Sequence, residues 1–389
     1  MPTAPSLRQM LQELIATPSV SSVSPELDQS NRPVVECLAQ WLEALGWSVR
    51  LQDLPGEPTK ANLIATLGRG DGGLVLAGHT DTVPYDTDGW ASDPFTLTER
   101  DSRLYGLGTS DMKSFLALAI EAARDLGAGQ LARPLTLLAT ADEESGMAGA
   151  KALAADDLIG SRQAVIGEPT GLRPVRMHKG VLMEAVRVVG HSGHSSDPSL
   201  GINALEGMSR VLQVLLQWRG ELQERYRDTQ FRVPGPTLNL GCLHAGDNPN
   251  RICASADLQI DIRPLPGMSL EELRAEMGRR LEGVLAAGQG RLELRSLFPG
   301  LEPMATPADA AVVDAARELT GAEPEAVAFG TEGPFLRNLG LDVVVLGPGD
   351  IDQAHQPDEY LALDRLQPTV NLLRGLIRRF CVDPEAPAG

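Results

Sequence analysis

Positive charge is in short supply in this sequence. Its 34 lysines and arginines face 52 aspartates and glutamates, for a formal net charge of −18 at pH 7. Nucleic acid and anionic membranes both demand basic surface, so neither is expected as a partner. The acidic excess would suit a cationic substrate, although it also serves solubility. Cysteine is sparser still. Cys37, Cys242, Cys253 and Cys381 are scattered, and no two have CxxC spacing. That argues against a thiolate metal site and for reduced thiols in a cytoplasmic protein. No apolar run reaches the ~18 residues that span a membrane. The opening Met1-Pro2-Thr3-Ala4-Pro5-Ser6 lacks a basic segment followed by an apolar one, so no secretory signal is expected. What is present is a globular composition, 42% hydrophobic and 22% charged, on 389 residues, which is long enough for two domains.

The apolar pattern alternates between two periods. Helical spacing covers 7–17 and 31–45, followed by strands over 47–51, 62–66 and 74–77. A strongly apolar helix is expected at 112–126, a buried strand at 135–140, a helix at 148–158 and a strand at 164–167. Strands alternating with helices imply an α/β domain with a mostly parallel sheet and helices on both faces. The texture changes near residue 180. A strand at 181–189, a helix at 202–226, strands at 237–243 and 256–263, a helix at 269–285 and a strand at 291–296 have the order of a split βαβ, ferredoxin-like α+β sandwich. It reads as an inserted domain over 180–295. The first domain, 1–179, resumes over 296–389 with a helix at 308–319, a strand at 342–346 and a helix at 366–380.

In parallel sheets ligands bind beyond the carboxyl ends of the strands. His79, Glu143, Glu144 and Glu168 all sit just after an apolar run, where that rule puts a site. His79 and Asp81 point to the same side if the backbone stays extended. A metal-binding imidazole needs an acceptor on its other nitrogen, and Asp81 could help to orient it. A plain strand-end turn with two polar residues is the alternative. His355 falls in the loop after another buried strand, and Asp111 lies at an element end. Two imidazoles with Asp111, Glu144 and Glu168 suffice for two divalent metals, one carboxylate bridging. All-N/O ligation suits zinc, cobalt or manganese. Beside Glu144, Glu143 could stay free as a general base. Alternatively, the acidic pair simply opens a helix, where the macrodipole favours acids.

Five motifs in order resemble those of the dinuclear zinc aminoacylase and carboxypeptidase family. They are Gly78 to Pro84, the stretch from Trp90 to Lys113, Ala141 to Gly146, Gly167-Glu168-Pro169-Thr170, and His355-Gln356-Pro357-Asp358-Glu359. The resemblance implies Asp111 as the bridging ligand, His79 and Glu168 on one metal, and Glu144 and His355 on the other. It implies Glu143 as general base, Asp81 as the partner of His79, and a cis peptide bond at Asp111-Met112. In the inserted domain, Gly193-His194-Ser195-Ser196 resembles the segment whose histidine reaches the partner subunit's site to stabilise an oxyanion. That implies a homodimer built through this lid. Arg263 resembles the arginine that takes a substrate carboxylate and Asn250 a substrate-contacting asparagine; a strand-end salt bridge and a turn asparagine are the plainer readings. Glu332 could meet a substrate ammonium or be an exposed loop acid. Further stretches, such as 236–241, 250–253 and 261–268, extend the likeness to hydrolysis of a small N-acyl amino acid. The implied substrate is N2-acetyl-L-ornithine, as in arginine biosynthesis. N-acetyl-L-citrulline, N-succinyl-diaminopimelate and general N-acyl amino acids are the alternatives.

Overall fold

The computed structural model describes residues 4–383. The chain forms two compact units. One comprises Met1–Arg176, Thr306–Glu325 and Thr331–Gly389, and the other Met177–Ala305 with Ala326–Gly330. The second unit thus extends past the 180–295 read from the order of strands and helices. Its entering and leaving segments are tied by Val181 and Leu301, which exchange backbone hydrogen bonds of 2.8 Å each way. The short piece Ala326–Gly330 joins it because Lys179 N–H donates to the Val327 carbonyl at 3.2 Å.

The core of the first unit is a mixed α/β sheet with a parallel centre. Leu135–Thr140, Gly73–His79, Ser161–Ile166 and Asp342–Val345 lie side by side and parallel. Antiparallel strands extend it at both edges: Glu57–Leu67 and Ser48–Leu54 on one side, Val175–His178 on the other. Every residue of Gly73–His79 and Leu135–Thr140 is buried, so both faces of the sheet are covered. Helices Arg32–Ala44, Lys113–Ala123, Ala311–Thr320 and Leu366–Ile377 contribute Val34, Phe115, Val312 and Val370 to one continuous core. Among the described residues, no helix is long and apolar enough to cross a membrane.

Two local departures from the periodicity matter. The helix expected over 148–158 stops at Ala152. Leu153 turns extended, and the Asp157 carboxylate accepts the Ala154 N–H at 2.8 Å to restart a short 3₁₀ turn, Ala155–Leu158. A small second sheet, made of Thr98–Arg100, Arg103–Tyr105 and Tyr360–Ala362, has strands too short for alternation to reveal.

The second unit is an antiparallel sheet in the order Thr237–Ala245, Ser255–Arg263, Leu182–Val189, Arg291–Ser296. Helix Ala204–Arg225 starts where the Asn203 side chain accepts the Leu205 N–H at 3.0 Å. Helix Leu270–Leu281 starts at Ser269, whose hydroxyl accepts the Glu272 N–H at 3.4 Å. Val211, Leu215 and Trp218 from the first helix and Leu273 and Met277 from the second pack on Val186, Leu258 and Ile260 of the sheet.

Candidate metal centre

Three adjacent parallel strands deliver the first residues. His79 pairs in register with Thr140, and Ala77 with Ile166, so the carboxyl ends of all three strands lie at one edge. His79 closes its strand, Glu143 and Glu144 follow the second, and Glu168 follows the third. Asp111 comes from the loop that leads into Lys113–Ala123, across a cis Asp111-Met112 peptide. His355 comes from the loop after Asp342–Val345.

The contacts fix the arrangement. His79 Nδ1 lies 2.9 Å from the backbone carbonyl of Asp81, and its Nε2 lies 3.0 Å from Asp111 Oδ1. The carbonyl accepts the Nδ1–H, so Nε2 is the nitrogen turned toward Asp111 and available to a metal. His355 Nε2 stands 3.0 Å from Glu144 Oε1 and 3.7 Å from Asp111 Oδ2. Asp111 thus offers one oxygen toward each histidine. Donor atoms of His79, Asp111 and Glu144 lie within 4.8 Å of one another, as do those of His79, Glu143 and Glu168. The Asp81 carboxylate stands 3.7 Å from His79 Nδ1 and instead accepts the backbone N–H groups of Glu143 and Glu144, at 3.3 and 3.1 Å. The expected partnership of Asp81 with His79 therefore runs through its backbone, while its side chain holds the glutamate pair.

Glu332 is buried, at 1% exposure, and its Oε1 has no hydrogen-bond partner among the described residues. It precedes helix Gly333–Asn338 rather than lying in an exposed loop. In the second unit His194 is exposed. Its Nδ1 accepts the Ser196 N–H at 3.2 Å, which leaves Nε2 as the N–H donor. Ser195 N–H donates to the Asn250 carbonyl at 3.1 Å, so that unit brings the segments of His194 and Asn250 together. Arg263 Nε donates to Asp261 at 2.9 Å, a strand-end salt bridge.

A family model described as peptidase family M20/M25/M40 matches residues 75–379. An acetylornithine deacetylase of Edwardsiella ictaluri (strain 93-146) is 49% identical over 377 residues, covering 97% of this chain and 98% of its own length. The chain belongs to peptidase family M20/M25/M40. A solved M20 metallo-carboxypeptidase from Sulfolobus solfataricus shares the fold with a TM-score of 0.75 at 19% identity, covering 96% of this chain and 99% of its own. A dinuclear metal-binding M20 peptidase from Bacillus subtilis does so with a TM-score of 0.67 at 18% identity, covering 95% and 96%.

The donor set of this M20 chain fits divalent cations. Among the described residues, no lysine or arginine forms an ion pair with Asp111, Glu143, Glu144, Glu168 or Glu332. Buried carboxylates are otherwise paired or bind metal. Their mutual field is visible in their proton affinities. Burial, then the charge of Glu168, holds Glu143 well above the usual carboxylate range; burial and Asp111 do the same to Glu168. Burial pushes Glu332 up to about 7 and Asp81 to about 6. The hydrogen bond to Glu144 lifts His355 to about 9. Burial would lower His79, but the Asp111 hydrogen bond and the surrounding acids carry it well above its ordinary value. Two dications at this place would relieve that accumulated negative charge.

Sequence reasoning left two supports unassigned. Lys60 Nζ bridges Asp28 and Asp142, at 2.7 and 2.6 Å, directly behind the glutamate pair. Glu359 was visible as the end of the last motif, but nothing in the spacing said what its carboxylate does.

Proposed function

We propose that the chain is a metal-dependent deacetylase that hydrolyses the acetyl amide of N2-acetyl-L-ornithine to L-ornithine and acetate, in arginine biosynthesis. The observation that carries the chemistry is Asp111, with one oxygen toward His79 and the other toward His355. The near full-length likeness to an acetylornithine deacetylase supports the choice of substrate. His79 and Glu168 would hold one divalent ion, Glu144 and His355 the other, and Asp111 both. Zinc suits these N/O donors, as do cobalt and manganese. When bound, such a pair polarises an acyl carbonyl and lowers the pKa of water.

The chain's own residues do the rest. Glu143 stands beside the cage, next to Glu144, and takes the proton of the attacking water. It then returns that proton to the departing amine. The free Nε2–H of His194 suits it to donate to the developing oxyanion. We assign it to the site of a second copy, in a cytoplasmic homodimer joined through the inserted unit. Arg263 would take the substrate carboxylate, Asn250 would contact the substrate, and Glu332 would meet its side-chain ammonium.

The test is a substrate panel on protein of measured metal content. N2-acetyl-L-ornithine should exceed N-acetyl-L-citrulline and N-succinyl-diaminopimelate by orders of magnitude in kcat/KM, because a charge-reading pocket discriminates strongly. A preference for either rival overturns the substrate, and activity that survives chelation overturns the chemistry. An active monomer in sedimentation overturns the assignment of His194 to a second copy.

A further inference from the structure

Glu359 makes a set of contacts that the hydrolytic chemistry does not require of it. It is buried, at 1% exposure, four residues after His355. Its Oε1 accepts the N–H groups of Ser110 and Asp111, at 2.6 and 2.9 Å, and its Oε2 that of Gly108, at 3.1 Å. Its carbonyl accepts the Gly106 N–H at 3.0 Å. Gly106 and Gly108 both have positive φ, 152° and 87°. The loop between and after those turns aims the N–H groups of Gly108, Ser110 and Asp111 at one carboxylate, the kind of concavity that receives an anion. One side chain therefore satisfies three buried donors of the loop that presents Asp111, and an unmet buried N–H is strongly unfavourable.

The residue after it starts the strand pairing that joins the two loops. Tyr360 pairs with Tyr105, so 355–359 and 106–111 leave the small sheet together. A second tie lies nearby, where the Ser110 hydroxyl accepts the Asp350 N–H at 2.9 Å and lies 3.2 Å from its carbonyl. The loops carrying Asp111 and His355 are thereby held as one body. Asp111 itself has no strand of its own to fix it.

We propose that Glu359 is a positioning residue that sets Asp111 between His79 and His355, and so sets the spacing at which two metals can share it. The proposal rests on reading Asp111 as the shared ligand. A glutamine at 359 would keep the volume and one acceptor for Ser110 and Asp111, but would turn an NH₂ against the Gly108 N–H. An alanine would remove all three acceptors.

The experiment compares wild type, Glu359→Gln, Glu359→Ala and Asp111→Asn by titration of the metal-free proteins with Co²⁺. It reads affinity, stoichiometry and the visible Co²⁺ spectrum, with the melting temperature of each metal-free protein as a control for folding. Outer partners of metal ligands are commonly worth about 10–100-fold in affinity. Glu359→Gln should weaken the second Co²⁺ by about tenfold or more, change its spectrum and lower kcat more than it raises KM, with part of kcat restored by excess Co²⁺. Alanine should do so more strongly; if it fails to fold, the glutamine variant decides. Wild-type affinity and spectrum in Glu359→Gln, with loss in Asp111→Asn, overturn the proposal and leave the metal reading standing. Two Co²⁺ ions retained by Asp111→Asn overturn the metal reading itself.

Discussion

The Asp81 carboxylate accepts the backbone N–H of Glu144 at 3.1 Å, and that of Glu143 at 3.3 Å. One side chain at the end of the first parallel strand thus orients the turn at the end of the next. Since the Asp81 carbonyl already holds His79 Nδ1 at 2.9 Å, a single residue links a histidine donor to the glutamate pair.

This arrangement separates the two jobs of Asp81 by mutation. Asp81→Asn keeps the backbone contact to His79 but puts an NH₂ against one of the two N–H groups. The expected result is a fall in kcat of about 10–100-fold, with most of the bound metal retained. Rate assays beside elemental analysis check it. Metal lost in step with activity would mean that the carboxylate serves His79 instead.

Glu143 is the second test. A group that moves a proton in the transition state is typically worth about 10²–10⁴-fold in rate. Glu143→Gln removes that ability and keeps the shape. Turnover should drop by at least about a hundredfold, while metal stoichiometry stays at the wild-type level. Normal turnover in the variant would remove Glu143 from the mechanism.

His79, Glu144 and Glu168 were legible in the sequence because each follows a short apolar run, and parallel strands end at one edge. The glycines before two of them were legible only as strand ends. A Cβ at Gly167 would lie 2.0 Å from the Phe115 ring, and one at Gly78 would lie 2.6 Å from Met112 Cε. Those glycines let the start of Lys113–Ala123 press against the strand ends, a tertiary demand that no local pattern encodes. Asp111 follows a loop rather than a core strand, so its place at an element end marked it as a candidate ligand, but its role as the shared one was readable only through the family resemblance. The three hydrogen bonds of Glu359 cross some 250 residues of chain, and their partners are backbone N–H groups that every residue but proline carries. Spacing cannot reveal such a contact.

Lys60 offers a test of how the glutamate turn is held. Its Nζ sits between Asp28 and Asp142, and the Lys60 and Asp142 side chains are only 4% and 8% exposed. Asp142 adopts a left-handed φ of 58° immediately before Glu143. Removing one partner of a buried ion pair is costly because the other charge is left behind. Lys60→Met should destabilise the protein by about 3–5 kcal/mol. The double variant with Asp142→Asn, which tolerates that φ, should lose less than the sum of the singles. Urea denaturation of all four proteins closes the cycle, and additive losses would show that the pair is not coupled.

His178 sets a pH dependence in the second unit. It is fully buried; its Nδ1 donates to the Lys179 carbonyl at 2.8 Å, and its Nε2 has no partner among the described residues. Burial lowers its pKa from 6.5 to about 4, against the opposing effect of the hydrogen bond to the carbonyl. The sign follows from proton uptake. Below pH 6.5 the unfolded chain binds a proton that the folded chain refuses, so stability falls as pH falls, until the folded group also protonates near pH 4. The whole swing is about 3 kcal/mol. Other titrating groups contribute as well, but they cancel in a comparison with His178→Leu. The variant should be less stable than wild type near pH 7.5, and the gap should shrink or reverse as pH falls toward about 4.5. Urea midpoints across that range read the difference directly, and parallel curves would mean that His178 does not stay neutral in the fold.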